Sequence, residues 1–374
     1  MKKNSNLLIL ALLTIGMGLT SCDEMLDNAV DPGVMPDVEV TSITLSETSL
    51  KIQVDESYAL TATVEPADAD YTLTWSSSDE TIATVDENGL IHSVAEGNVI
   101  ITAQAGNMKA TCDVLVKDEY TADNQYKEAT WDATNSKVVF KKKSVESVAV
   151  ITNSSTASSI TSGWYSVTDD NVIINGDITL SDDLYLILCD GAKLTINGNI
   201  DGSSNKYNLY IYGQANQTGQ LVVNCSSGSA IAKITTLEVH SCQVTATSSS
   251  SGGFTSIKTF NVLGGSVYAE CTGTNGFGII LASGGSMNIY GGEVKAVGKG
   301  TNSLVSYGIA GSATVTVYGG KLWAENADNK AIDFNSITLT KDAGYTSGKI
   351  EYSSDKSTWS ETADASAKYV RVGY

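Results

Sequence analysis

A glycosidic bond is hydrolysed by two carboxyl groups about 5–9.5 Å apart, one an acid and the other a base or nucleophile. The acidic residues of this 374-residue chain are therefore the first place to look for chemistry. Asp182 and Asp183 are adjacent, which sends them to opposite faces of a strand or places them in a turn. Asp190, Asp201, Glu238, Glu270, Glu293, Glu325, Asp328 and Asp333 are scattered, and only Glu293 has charged companions nearby in the pattern, Lys295 and Lys321. The histidines are His92 and His240, and neither has a serine or cysteine nucleophile pattern beside it. A lyase needs a strong base and cationic groups against a carboxylate, yet the sole arginine is Arg371, near the end of the chain. Gly298-Lys299-Gly300-Thr301 lacks the Lys-Ser/Thr pair of a phosphate loop. No set of groups converges, so no catalytic residue is assigned and the chain is expected not to be an enzyme.

Cys112, Cys189, Cys225, Cys242 and Cys271 show no CxxC spacing. Free, mostly buried thiols are expected rather than a disulfide framework or a zinc site. No dense Asp/Asn loop of calcium-binding type occurs, so no metal ligand is assigned and no cofactor is expected, with calcium between acidic loops left as the open alternative.

Binding is the chemistry the pattern does support. One series of side chains at repeating positions reads Tyr212, His240, Leu263, Tyr290, Tyr318, and a second reads Thr245, Tyr268, Lys295, Trp323. Aromatic faces suit the C–H faces of sugars, and neighbouring Asn, Lys and Glu suit hydroxyl groups. Stacked aromatics also stabilise adjacent strands without any ligand, so both roles stay open for Tyr212, Tyr268, Tyr290, Lys295, Tyr318 and Trp323.

What must position these residues is an internal repeat of about 23–28 residues within 171–340. Phe260-Asn261-Val262-Leu263-Gly264-Gly265-Ser266-Val267-Tyr268-Ala269 returns at Met287–Ala296 and at Val315–Ala324, and in degenerate form at Leu237–Ala246. Each copy is two short alternating strands around a Gly-Gly corner, where glycine can take positive φ. A third strand is marked by Ile231, Phe254, Ile279, Ile309 and Ile332, one per copy. Three short strands per turn describe a parallel β-helix. Its inward columns are Val239/Val262/Ile289/Val317 and Val244/Val267/Val294/Leu322. Proline, which would lose a ladder bond, does not occur after Pro66. Cys225, Ser248 and Cys271 form a further column, leaving the thiols two turns, roughly 9–10 Å, apart and beyond disulfide reach. The loss of the glycine corner at Ser241-Cys242 predicts a distorted turn. The string from Trp164-Tyr165 through Leu184-Tyr185-Leu186-Ile187-Leu188-Cys189-Asp190-Gly191, with the later Leu209-Tyr210-Ile211-Tyr212-Gly213, resembles carbohydrate-binding right-handed β-helix proteins of bacterial surfaces. That resemblance implies a right-handed helix and polysaccharide binding, in some members with calcium.

Residues 38–117 alternate with period two and are broken by turn signals such as Glu65-Pro66-Ala67 and Asp86-Glu87-Asn88-Gly89, which predicts a β-sandwich. Trp75-Ser76-Ser77-Ser78-Asp79, Ile82-Ala83-Thr84-Val85-Asp86, Asn88-Gly89-Leu90 and Glu96-Gly97 closely resemble the bacterial Ig-like group 2 domain. The resemblance implies a spacer or adhesive module with Trp75 in its core and no catalysis. His92 reads as a surface substitution. Residues 118–170 are expected to be a linker and a cap for the β-helix, with the acidic stretch 118–123 as connector, Lys141-Lys142-Lys143 as a solvated turn and Gly163–Val167 in the cap. Residues 171–374 form the β-helix with its C-terminal cap. The fold class is thus all-β.

The chain opens with Lys2 and Lys3, the apolar run Leu7–Leu19, and Thr20-Ser21-Cys22, the parts of an export signal. Leu19-Thr20-Ser21-Cys22 resembles the lipobox of bacterial lipoproteins, which implies removal of residues 1–21, lipidation of Cys22 and a tether over 22–37. Acidic residues follow Cys22. They resemble surface-export signals in some Gram-negative lipoproteins and inner-membrane retention signals in others. The expected location is the outer membrane, facing outward or into the periplasm, with membrane contact through the lipid alone. Forty-two acidic against 23 basic residues give a net charge of −19, which argues against nucleic acid as a partner. The expected function is a surface lipoprotein that binds polysaccharide or another glycan, or mediates adhesion, through the β-helix. A structural or adhesive protein recognising a host protein is the first alternative and a polysaccharide lyase-like enzyme the second.

Overall fold

The computed structural model describes residues 38–274, 276–300, 306–326, 328–333 and 335–374. Cys22, the export signal and the tether lie outside the described residues. Among the described residues the regular elements are β-strands, with one short 3-10 turn at Ala157–Ser159.

The period-two segments of the N-terminal domain form small sheets. Ser49–Ile52, Met108–Val116, Gly97–Ala105 and Leu73–Ser77 lie side by side in one of them, facing the sheet of Ser57–Ala59, Leu90–Ser93 and Ala83–Val85. Alternation puts Ile52, Leu60, Ile91, Ile101 and Val114 between them. Trp75 bridges this cluster and a second one around Ile43 and Val64, as expected of the core tryptophan. His92 is exposed, and its ring Nδ1 lies 3.2 Å from the Ser57 hydroxyl at the surface.

From Gly163 the chain winds into a β-solenoid of about seven turns. The first face stacks Gly163–Val167, Leu184–Leu188, Leu209–Tyr212, Thr236–Val239 and the strands that follow, all parallel. The second face stacks Lys193–Asn197, Gln220–Cys225, Gln243–Ser248, Ser266–Cys271, Glu293–Gly298 and Lys321–Glu325, also parallel. A third, shorter face carries Ile200, Ile231, Phe254, Ile279, Ile309 and Ile332 in register. The inward columns are those the periodicity predicts. Val239, Val262, Ile289 and Val317 are stacked and fully buried, and on the second face Val267 and Val294 are stacked and buried as well. Gly265 and Gly292 turn the corner with φ of 72° and 70°, a region that β-branched and bulky residues avoid. Antiparallel strands Ile350–Ser353 and Tyr369–Val372 close the C-terminal edge of the second face.

Two local expectations are corrected. The turn at Ser241-Cys242 is not distorted, because strand register continues unbroken on both sides of it. Ser241 Oγ accepts from Gly213 N and donates to the Lys127 carbonyl, so the hydroxyl bonds where a glycine corner would have none. Lys141-Lys142-Lys143 is not a solvated turn. It belongs to the strand Lys137–Ser144, which pairs antiparallel with Gln125–Asp132 in a hairpin. Within the stretch that follows the Ig-like domain Asp118 is buried, and its carboxylate accepts from Val54 N at 3.2 Å.

Candidate functional site

The hairpin decides which outward columns are available. Its inner side chains lie along the corner between the first and second faces. There Tyr212, His240, Leu263, Tyr290 and Tyr318 stack one per turn, each backbone N–H after Tyr212 bonded to the turn before. Tyr212, His240 and Leu263 are buried. Tyr126 of the hairpin closes on Tyr212 at 4.4 Å between ring centroids, and Trp131 sits 5.3 Å from Tyr290 and 5.6 Å from Tyr318. Burial pushes the Tyr212 hydroxyl far above its ordinary range. This column, expected to face a ligand, is instead the seat of the hairpin. Tyr212, Tyr290 and Tyr318 have their ring faces occupied by neighbouring turns and by Tyr126 or Trp131. The signal in the sequence was the density of aromatic residues, Tyr120, Tyr126, Trp131 and Phe140, in a stretch otherwise read as linker and cap.

A second aromatic stack, which the repeat analysis did not single out, runs along the first face. Trp164 lies on Tyr185 at 4.4 Å with planes 12° apart, and Tyr185 on Tyr210 at 4.8 Å and 7°. The same column continues through Glu238, Asn261 and Asn288. Asn288 donates to Asn261 at 2.9 Å, and Asn261 donates to Glu238 at 2.8 Å. Rings stacked this closely use their faces on one another, so the stack offers mainly edges to solvent.

The second face is different. Its last turns are flanked by the C-terminal segment, with Trp359, Lys356 and Tyr374 at Trp323 and Tyr374 at Glu293. Its outward column Thr195, Val222, Thr245, Tyr268, Lys295, Trp323 is in strict register. Tyr268, Lys295 and Trp323, all expected site residues, are brought together on successive turns and half-buried. Lys295 Nζ lies 5.8 Å from the Tyr268 ring centre. Burial raises the Tyr268 hydroxyl to about 12, helped by the neighbouring Glu270 carboxylate, so it remains a neutral donor. Trp323 is flanked edge-on by Trp359 at 5.5 Å and Tyr374 at 5.7 Å, and its indole N–H donates to Glu325 at 2.5 Å. Glu293 accepts from the Tyr374 hydroxyl at 2.5 Å, and Lys321 Nζ sits 5.1 Å from the Tyr374 ring centre. Arg371 is spent on Glu351 at 2.8 Å.

One column further along the same face lie Asn175, Asn197, Asn224, Thr247 and Glu270. Asn197 donates to Asn175 at 2.9 Å and Thr247 to Asn224 at 2.8 Å. Asn197, Asn224, Thr247 and Glu270, with Asp177, Ser226, Ser249 and Thr272, line a groove of about 730 Å³ that runs across several turns. Its wall is rich in amide and hydroxyl groups, and it borders the Tyr268 column through Glu270.

The remaining chemistry-bearing residues do not converge. Asp183 is held by the Asn208 side chain, with both carboxylate oxygens at 3.0 Å, and Asp182 accepts from Asp183 N. Among the described residues no group of three His, Cys, Asp or Glu could hold a metal ion. Cys112, Cys189, Cys225, Cys242 and Cys271 are free and buried. Burial raises the Cys189 thiol to about 11 and that of Cys242 to about 12, which leaves them unreactive. Cys225, Ser248 and Cys271 stand in one column as predicted. Among the described residues no helix is long and apolar enough to cross a membrane.

Residues 39–114 match the family model of the bacterial Ig-like domain (group 2). The chain is similar to lacto-N-biosidase of Bifidobacterium bifidum, 36% identical over 107 residues that are 27% of this chain and 9% of that protein. It is similar to ice-binding protein 1 of Shewanella frigidimarina, 36% identical over 84 residues, 21% of this chain and 9% of that one. It is also similar to the Ig-like virion protein of Serratia phage KSP90, 37% identical over 101 residues, 24% of this chain and 39% of that one. The matched part thus spans well under half the length of each of these relatives. Among solved structures, domains 5–6 of the S-layer protein SbsC align with a TM-score of 0.21 at 17% identity, over 29% of this chain and 64% of that chain. The N-terminal domain is a bacterial Ig-like domain of group 2, set at the head of a β-solenoid of about seven turns.

Proposed function

We propose that this chain is a surface lipoprotein, anchored through Cys22, that binds glycan on the second face of its solenoid without transforming it. An Ig-like domain joined to a β-solenoid fits a surface or adhesive protein. The observation that carries the glycan reading is the pairing of the half-buried Tyr268–Lys295–Trp323 column with the adjoining Asn197–Asn224–Thr247 groove on one face. Such a face offers ring surface and neutral hydrogen-bonding groups at one interval per turn, about 4.8 Å. An extended sugar chain lying along the solenoid axis would meet the same groups repeatedly.

A glycan array probed with residues 38–374 tests this reading. Binding to at least one polysaccharide, weakened by Tyr268→Ala and by Asn224→Ala, is expected. Absence of any polysaccharide binding, or binding that neither substitution alters, would overturn it. Release of unsaturated sugar products would replace it with a lyase.

A second reading, recognition of a protein partner, draws on the Ig-like domain. Ile100 and Leu115 are exposed on the outer side of its larger sheet, at 44% and 36%, beside a hollow lined by Leu50, Lys51, Asn98 and Asp113. Pull-down of a host surface protein by residues 38–117 alone, lost on Ile100→Asp, would favour it.

A further inference from the structure

The hairpin Gln125–Ser144 does more than cover an aromatic column, because both domains hold it. On the solenoid side, Lys127 N donates to the Gly213 carbonyl at 2.8 Å and Ser241 Oγ to the Lys127 carbonyl at 3.1 Å. Gln214 Nε2 donates to the carbonyls of Ala122 and Gln125 at 3.1 and 2.8 Å. Phe140 approaches Gly264 so closely that a Cβ there would stand 3.1 Å from its ring. On the Ig-like side, Lys142 Nζ donates to Gln53 Oε1 at 3.2 Å, and in the connector it donates to the Glu119 carbonyl at 2.5 Å and lies 5.5 Å from the Tyr120 ring centre. Lys117, at the end of the Ig-like domain, donates directly to Asn216 of the solenoid at 3.0 Å.

Lys127 joins the two sides. Its side chain is 3% exposed, and its ammonium meets Glu96 of the Ig-like domain at 2.5 Å and the Ala215 carbonyl of the solenoid at 3.3 Å. The Phe140 ring centre lies 5.4 Å from it. Lysine is almost never buried unless its charge is matched. Here the match requires the Ig-like domain and the solenoid to hold one position relative to each other. Glu96 is fixed in turn, since its other oxygen accepts from Asp118 N at 3.3 Å.

We propose that the hairpin welds the Ig-like domain and the solenoid into one rigid body, so that the Ig-like domain fixes the direction in which the second face points. Domains joined by a short exposed linker move relative to one another by default. This junction departs from that default because a buried cation bonded to both domains stands at its centre. The weld does not depend on what the second face binds.

The test is a distance distribution between nitroxide labels at Thr111→Cys and Thr338→Cys, both exposed positions, one on each domain, in the full chain carrying Cys22→Ser. The native thiols of the described residues are buried and take no label. A single narrow distribution is expected, at least doubling in width with Lys127→Ala and with Glu96→Leu. Should Lys127→Ala fail to fold, Glu96→Leu changes only the Ig-like partner and reads the same distance. A broad distribution in the chain with native Lys127 and Glu96, or a narrow one that survives the substitutions, would overturn the proposal.

Discussion

The ring of Tyr212 lies on the imidazole of His240, centroids 4.4 Å apart and planes 25° from parallel, and the hairpin seals both from solvent. Tyr126 covers Tyr212, and His240 Nδ1 lies 3.1 Å from the backbone of Ala129. Further along the same corner Trp131 packs on Tyr290 and Tyr318. Two outward columns that look alike as residue series therefore differ in role. One is the seat of the hairpin, and the other is half-buried and flanked at its last turn by Trp359 and Tyr374.

That difference is measurable. Tyr268→Ala should lower glycan affinity about tenfold, ~1.4 kcal/mol, while leaving the melting temperature nearly unchanged. Tyr290→Ala should do the reverse, because it removes packing under Trp131 and nothing from the second face. Titration calorimetry with a bound polysaccharide and thermal unfolding of the two variants separate the outcomes.

Glu96→Ala should destabilise the chain by an amount toward the low end of ~3–5 kcal/mol, the cost of leaving a buried cation unpaired. The low end applies because Glu96 is itself 31% exposed, so water can partly replace it. Denaturant titration gives the value. A loss below about 0.5 kcal/mol, the range of ordinary surface substitutions, would mean that the Lys127 ammonium reaches solvent.

Phe260 is fully buried and packs against Phe254 with ring centroids 5.2 Å apart. Phe260→Ala should cost ~3–5 kcal/mol, since solenoid turns stacked above and below cannot collapse into the cavity. Thr245→Ala, outward on the second face, should stay within about 0.5 kcal/mol. Equilibrium unfolding of the pair checks the inward and outward assignment directly.

Glu238 links the first-face column to the sealed corner. Burial alone would raise its carboxyl, but the contacts from His240 Nε2 at 3.3 Å and Asn261 at 2.8 Å outweigh that and hold it below the ordinary 4.5. A folded-state value below the unfolded one means stability that is fully present above pH 4.5 and is lost as pH falls through the folded value. The chain should therefore be more stable than Glu238→Gln at pH 7, with the gap closing below pH 4.5. Urea midpoints of both proteins across that range report it, and a gap independent of pH would show that the carboxylate charge plays no part.

Much of the architecture was legible because strands have a period of two and solenoid turns stack in register. Those rules place Val239 over Val262 and Val244 over Val267 from the residue series alone. They also place Tyr268, Lys295 and Trp323 on successive turns, as the structure does. The Trp75 to Gly97 motifs marked the Ig-like domain on the same footing. The Trp164–Tyr185–Tyr210 stack went unnoticed because its members fall in the least regular copies of the repeat, where Gly-Gly corners do not mark the register.

Sequence alone determined the all-β class, the Ig-like domain, the repeat and the columns of the solenoid, because each follows from local periodicity and turn residues. Tertiary structure alone decided which columns meet solvent. Residues 125–144 alternate as a hairpin would whether it stands free or lies against a neighbour, so nothing local reveals where it docks. Its placement is set by long-range partners: Lys127 between Glu96 and Ala215, and Trp131 over Tyr290 and Tyr318. Matching a buried charge and covering apolar ring faces are properties of surfaces brought together from distant parts of the chain, and they exist only once the chain has folded.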